Sequence, residues 1–207
     1  NLQDSNGFTA LMLAAGKGHE RVVELLIRQG AELRLQDSKG CTALMTAAQE
    51  GRERVVELLL QRDAEINLQK SNGSTALTSA AYNGHERVVE LLIRHGADIN
   101  LQDSNGLTAL MAAAGYGHPA TVLRLLRAGA DTKLRSAKGE SALQLAKEQG
   151  HAECVEAFRQ HIAEVTAGRR EAAAGGAGGG GASSGEAVAG GSAAASSGSL
   201  GSLRKEA

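Results

Sequence analysis

The sequence predicts an all-α solenoid: stacked helix-turn-helix units joined by β-turn and hairpin loops, followed by a tail that does not fold. Three observations carry this. Glycines recur at Gly7, Gly40, Gly73, Gly106 and Gly139, always 33 residues apart, and a fixed period of that size marks a repeat array rather than one closed core. The heptapeptide Glu-Arg-Val-Val-Glu-Leu-Leu stands unchanged at 20–26, 53–59 and 86–92. From Ala172 to Leu203, 28 of 32 residues are Gly, Ala or Ser. So little apolar surface cannot offset an ordering cost of about 1–2 kcal/mol per residue.

The period divides the chain into units of about 1–36, 37–69, 70–102, 103–135 and 136–165, with a disordered tail over 166–207. In the first unit, Thr9-Ala10-Leu11-Met12 followed by Ala14 and Ala15 predicts a short helix whose small residues let neighbours approach closely. Gly18 ends it. A second helix begins near His19, where Val22, Val23, Leu25, Leu26 and Ile27 supply a broad apolar face. Arg21, Glu24 and Arg28 lie three and four apart on its outside, at pairing distance. Gly30 provides the left-handed exit, and Gln36-Asp37-Ser38-Lys39-Gly40 turns the chain into the next unit. Pro119 falls in the first turn of its helix, where a missing amide costs nothing. The second unit departs twice, with Arg52 where others have His and Asp63 where others have the exit glycine. Asp in a left-handed site is expected to cost up to roughly 1 kcal/mol. The last unit lacks the Gly-Ala-Asp exit, so its second helix is expected to run on toward Gly168 as a C-terminal cap. No helix pair closes a core alone, so stacking must do so. Asn1-Leu2-Gln3 repeats the endings Asn67-Leu68-Gln69 and Asn100-Leu101-Gln102. The first unit is therefore expected to present an uncapped face, with fraying or weak self-association of an otherwise monomeric protein.

Composition excludes several function classes. Lys+Arg 22 against Asp+Glu 23 leaves a net charge of -1, which gives no field to draw nucleic acid or an anionic membrane. Only Phe8, Tyr82, Tyr116 and Phe158 are aromatic, so Leu, Val and Ala must pack the core. Cys41 and Cys154 make no disulfide framework and suit a reducing compartment, the cytoplasm or alternatively the nucleus. No apolar run approaches the roughly 18 residues of a spanning helix, so no membrane insertion is expected.

The short motifs in the chain point the same way. Gly115-Tyr116-Gly117-His118-Pro119-Ala120 fits a dinucleotide fingerprint in letters, but a helix rather than a strand precedes it. His19-Glu20 and His85-Glu86 open like a zinc helix, yet Val23 and Val89 stand where the second ligand belongs. Histidines in register, one per unit, sit about a helix diameter apart, roughly 10 Å, and read as structural residues at helix starts. Neither cysteine has a C-x-x-C partner or a base beside it. Asn72-Gly73-Ser74 spells a glycosylation sequon but belongs to the repeat turn. The sequence thus offers no catalytic residue, no cofactor site and no metal site.

The 33-residue spacing, the Asp/Lys-x-x-Gly-x-Thr-Ala-Leu turn and helix start, the Gly-His pairs at 18–19, 84–85, 117–118 and 150–151, and Gly96-Ala97-Asp98 resemble ankyrin repeats from Asn1 to about His161. The family's Thr-Pro-Leu-His appears here as Thr-Ala-Leu-Met three times, then as Thr75-Ala76-Leu77-Thr78 and Ser141-Ala142-Leu143-Gln144. That removes the histidine of the family's Thr–His hydrogen bonds while leaving the fold expectation intact.

The resemblance implies a non-catalytic scaffold that grips a protein partner on its concave face. The alternative is a regulatory or targeting array of a larger enzyme, a kinase or ubiquitin ligase, whose catalytic part lies outside this chain; a bare spacer is a third reading. Differences between units cluster just after the turn glycine and at the end of the first helix, places that line the gripping face in that family. The candidate partner-binding residues are therefore Phe8, Lys17, Gln49, Glu50, Tyr82, Asn83, Leu107 and Tyr116, with the two tyrosine rings expected about one repeat apart. Asn67 and Asn100 resemble the hairpin asparagine that asparaginyl hydroxylases modify in the family, with Leu59 and Leu92 eight residues before them and Glu65 and Asp98 two before.

Overall fold

The computed structural model describes residues 1–175, with side chains to residue 169. The expected Gly/Ala/Ser tail therefore lies, from residue 176 on, outside the described residues. Ten helices occur in order: α1 (Ala10–Lys17), α2 (Glu20–Arg28), α3 (Ala43–Gln49), α4 (Glu53–Leu60), α5 (Ala76–Tyr82), α6 (Glu86–Arg94), α7 (Ala109–Gly115), α8 (Pro119–Arg127), α9 (Ala142–Glu148) and α10 (Ala152–Gly175). Among the described residues the only β pairing is an isolated antiparallel bridge, Gln3 to Thr9.

Each first helix starts the same way. Thr9 is extended (φ −98°, ψ 160°) and its hydroxyl accepts from the Met12 amide at 3.1 Å, satisfying one of the donors a helix start leaves free. Thr42, Thr75, Thr108 and Ser141 repeat the cap. At Ser141 the Gln144 side chain also reaches back, accepting from the Ser141 amide at 2.9 Å and completing a capping box. Each threonine hydroxyl thus bonds the first turn of its own helix. At the second-helix exit of unit two, Asp63 adopts φ 59°, the one non-glycine residue with positive φ among the described residues.

The first helices α1, α3, α5, α7 and α9 pack one on the next, and so do α2, α4, α6 and α8. Leu11, Leu44, Leu77 and Leu110 fill the space between the two rows, and Ala15, Ala48, Ala81 and Ala114 are fully buried where first helices meet. Side chains no larger than a methyl at these contacts allow the close approach. Leu59, Leu92 and Leu125 line the second-helix side, and Phe158 takes the matching place in α10.

Polar ladders tie the turns together. The amides of Ser38, Ser71, Ser104 and Ala137 donate to the carbonyls of Asn6, Lys39, Asn72 and Asn105 in the preceding unit. Gln3, Gln36, Gln69 and Gln102 each donate from Nε2 to a glycine carbonyl in their own turn and to the carbonyl one unit on. Asp4, Asp37 and Asp103 accept two backbone amides apiece. Lys70 occupies that place in unit three and has no acceptor to offer. There Asn72 Oδ1 accepts from the Ser74 amide instead, at 3.1 Å.

At the C-terminal end α10 continues past Gly168 to Gly175. The composition break at Ala172 therefore falls inside a helix, because the leading Ala172-Ala173-Ala174 favours helix more than any other residue type. At the other end Leu13, Val22 and Leu25 are 54%, 46% and 57% exposed, whereas Val55 and Val88, which match Val22, are at most 1%. The apolar face of the first unit is open.

Candidate functional site

Tyr82 is the last residue of α5, and Tyr116 is the residue that caps the end of α7. A shift of 33 from Tyr82 reaches Gly115, so the two tyrosines are one position out of register. Their rings meet, with centroids 3.9 Å apart and planes inclined at 45°. This corrects the expected separation of about one repeat. Gly115, at the place that matches Tyr82, carries no side chain to hold the rings apart. The Tyr116 phenol titrates above its ordinary range, first through its interaction with the neighbouring Tyr82 hydroxyl and then through partial burial.

The pair stands in a groove of about 940 Å³ that runs from Gln49 to Gln149 across units two to five. Turn residues form one wall: Lys70, Asn72 and Ser74 from one unit, Asp103, Asn105 and Leu107 from the next, then Lys138 and Glu140. Ser79, Ala112 and Gly115 give the first helices a low surface there, with Met111 and Leu145 as apolar points. Lys70 Nζ donates to Gln49 Oε1 at 3.3 Å across the groove, and Asn83 Nδ2 donates to the Ser79 carbonyl at 2.9 Å.

Of the residues singled out from sequence, Gln49, Tyr82, Asn83, Leu107 and Tyr116 line this groove together. Phe8, Lys17 and Glu50 lie outside it. Phe8 is half-buried and packs on the core, Lys17 is exposed at the end of α1, and Glu50 accepts from Gln49 Nε2 at 3.4 Å. Lys70, Asn105 and Lys138 line the groove and were not singled out. The signal for Lys70 was present, since a lysine stands where other turns have an acceptor.

The recurring histidines hold the ends of the groove-bearing helices. Because a carbonyl only accepts, each ring donates from Nε2: His85 to Gln49 at 2.9 Å, His118 to Tyr82 at 2.9 Å and His151 to Gly115 at 3.1 Å. Arg52, the substitute in unit two, does the same through Nε to the Gly16 carbonyl at 3.0 Å. A Cβ on Gly51 would stand 2.7 Å from His85 Nδ1, so glycine is what leaves room for the ring. These are structural contacts, and among the described residues no group of three or more His, Cys, Asp or Glu could hold a metal ion.

Asn67 and Asn100 are exposed, and each Oδ1 accepts from the Asp98 or Asp131 amide of the next unit at 2.9 Å. On the outer face Arg124, in the place of Leu25, Leu58 and Leu91, bonds Glu86 at 2.7 Å and Glu90 at 3.3 Å. Cys154 is fully buried, and burial, then the nearby Glu153 charge, pushes its thiol up to about 11. Burial also raises the Cys41 thiol. Neither is poised as a thiolate. No helix among the described residues is long and apolar enough to cross a membrane.

The family model for ankyrin repeats, built of three copies, matches residues 1–70, 63–136 and 110–173. A search of the curated proteins finds no match to this chain.

Proposed function

The chain belongs to the ankyrin-repeat family, whose members are generally protein–protein interaction modules, and we propose that it is a non-catalytic scaffold that binds a protein partner in the groove centred on Tyr82 and Tyr116. One observation carries this reading. The two tyrosines are 45% and 54% exposed in a groove whose apolar contacts otherwise come from small or aliphatic residues. Neither tyrosine belongs to the buried core, which Leu, Val, Ala and Met fill with Cys154 and Phe158. Tyrosine offers a large contact area with few rotatable bonds, which is why it recurs among binding hot spots. Gln49, Asn83 and Leu107 flank the rings, and Lys70 and Lys138 add charge along the turn wall.

The test is a partner co-purified with the chain from its own cells, its affinity measured by calorimetry. Tyr82→Ala combined with Tyr116→Ala is expected to weaken binding by at least about 2 kcal/mol with helicity and melting nearly unchanged. Arg21→Ala with Arg87→Ala, on the outer helix face, serves as the control and should alter affinity little. A double tyrosine variant that unfolds, or that binds as before, overturns the assignment.

The same reading keeps Asn67 and Asn100 as targets of asparaginyl hydroxylation. Their exposure supports it; their engagement by the next unit's amide means that the modifying enzyme competes with the fold at that turn. Mass spectrometry of the protein from its native cell should find an added oxygen on one or both, and uniformly unmodified peptides would count against it.

A further inference from the structure

Tyr82 and Tyr116 are the only tyrosines in the chain, which has no tryptophan. Their centroid separation of 3.9 Å is shorter than the roughly 4.5–7 Å of ordinary aromatic pairs. At that separation the two rings are direct neighbours, with no other side chain between them. Both rings are open to solvent from the groove, so each presents its phenol to an oxidant in solution. Their backbones are held independently. His118 binds the Tyr82 carbonyl, and His151 binds the carbonyl of Gly115 next to Tyr116. Two phenols fixed in contact by a folded scaffold react as one molecule, with an effective concentration far above that of any second chain.

We propose that this pair is an oxidative modification site, at which a peroxide acting through a one-electron oxidant of the haem-peroxidase class joins the two rings into a dityrosine within one chain. Each phenol loses an electron to the oxidant and its hydroxyl proton to water, leaving two neutral phenoxyl radicals. These combine through one ring carbon ortho to each oxygen, forming a carbon–carbon bond. The hydrogen on each of those carbons then moves to the oxygen, which restores both phenols. The net change is loss of two hydrogens from the protein. The two electrons and two protons reduce one hydrogen peroxide to two waters. The new bond ties unit three to unit four at the middle of the groove.

The experiment treats the full chain with a haem peroxidase and hydrogen peroxide at several dilute protein concentrations. The expected product is a monomer on a denaturing gel, lighter by two hydrogens, with blue dityrosine emission that no tryptophan masks. A single cross-linked peptide pair should contain residues 82 and 116, and the fraction linked per unit time should not change with protein concentration. Tyr82→Phe and Tyr116→Phe keep the rings and should each abolish the emission and the mass loss, with helicity unchanged. Covalent dimers whose yield rises with concentration would overturn the proposal. So would a monomer that only gains oxygen, as from oxidation of Met111 in the same groove.

Discussion

Asp63 shows how one residue can sit against its own preference. Its φ of 59° is the left-handed conformation that glycine adopts in the matching turns at Gly30, Gly96 and Gly129. A Cβ there crowds the following carbonyl, at roughly 1 kcal/mol. The space is open, since a Cβ built on Gly30 or Gly96 meets nothing within 4 Å, so the strain is in the backbone alone. Asp63→Gly is therefore expected to stabilise the array by up to about 1 kcal/mol, read as a higher urea midpoint with unchanged slope. A lower midpoint would show that the Asp63 side chain contributes more than its backbone costs. The left-handed site was legible in the sequence because the exit glycine recurs in register. The same logic failed for Phe8, whose exposure depends on what packs over it rather than on its place in the period.

Among the elements, the helix-start residue of each second helix works on its neighbour rather than on its own helix. None of His19, Arg52, His85 or His118 caps its helix with its side chain. Arg52, His85, His118 and His151 instead hold a carbonyl at or next to the end of a first helix one unit back. Arg52 carries this out with a longer side chain, whose stem lies over Gly18. Arg52→His is expected to be nearly neutral, because histidine fills the same place in the three following units. Arg52→Ala leaves the Gly16 carbonyl without its partner and should cost about 1 kcal/mol. An Arg52→Ala variant with an unchanged denaturant midpoint would mean that the contact contributes nothing, and equal losses for both would mean that histidine does not replace it. The sequence shows the recurring Gly-His pair but not its bond, which spans 36 residues and depends on how units stack.

At the scale of the repeat array, stability is close to a sum over units and their interfaces, and within the described chain the first unit has a stacking neighbour on one side only. Leu13, Val22 and Leu25 lie open there, so amide exchange in α1 and α2 should be markedly faster than in α5 and α6. Val22→Thr should be tolerated, while Val88→Thr, at a site that is 0% exposed, should lower the melting point clearly. Uniform protection across all four helices in a dilute monomer would rule this out. The sequence by itself determined the period, the two helices of each unit, the left-handed exits and the aliphatic make-up of the core. Each of these is set within one unit by caps, helical periodicity and backbone φ, which act over a few residues. Tertiary structure alone decided that Tyr82 and Tyr116 touch, that Lys70 faces Gln49 across a groove, that histidines reach back one unit and that Phe8 is half covered. Those contacts join residues from neighbouring units, and their distances follow from how closely the alanine faces of the first helices let those units approach.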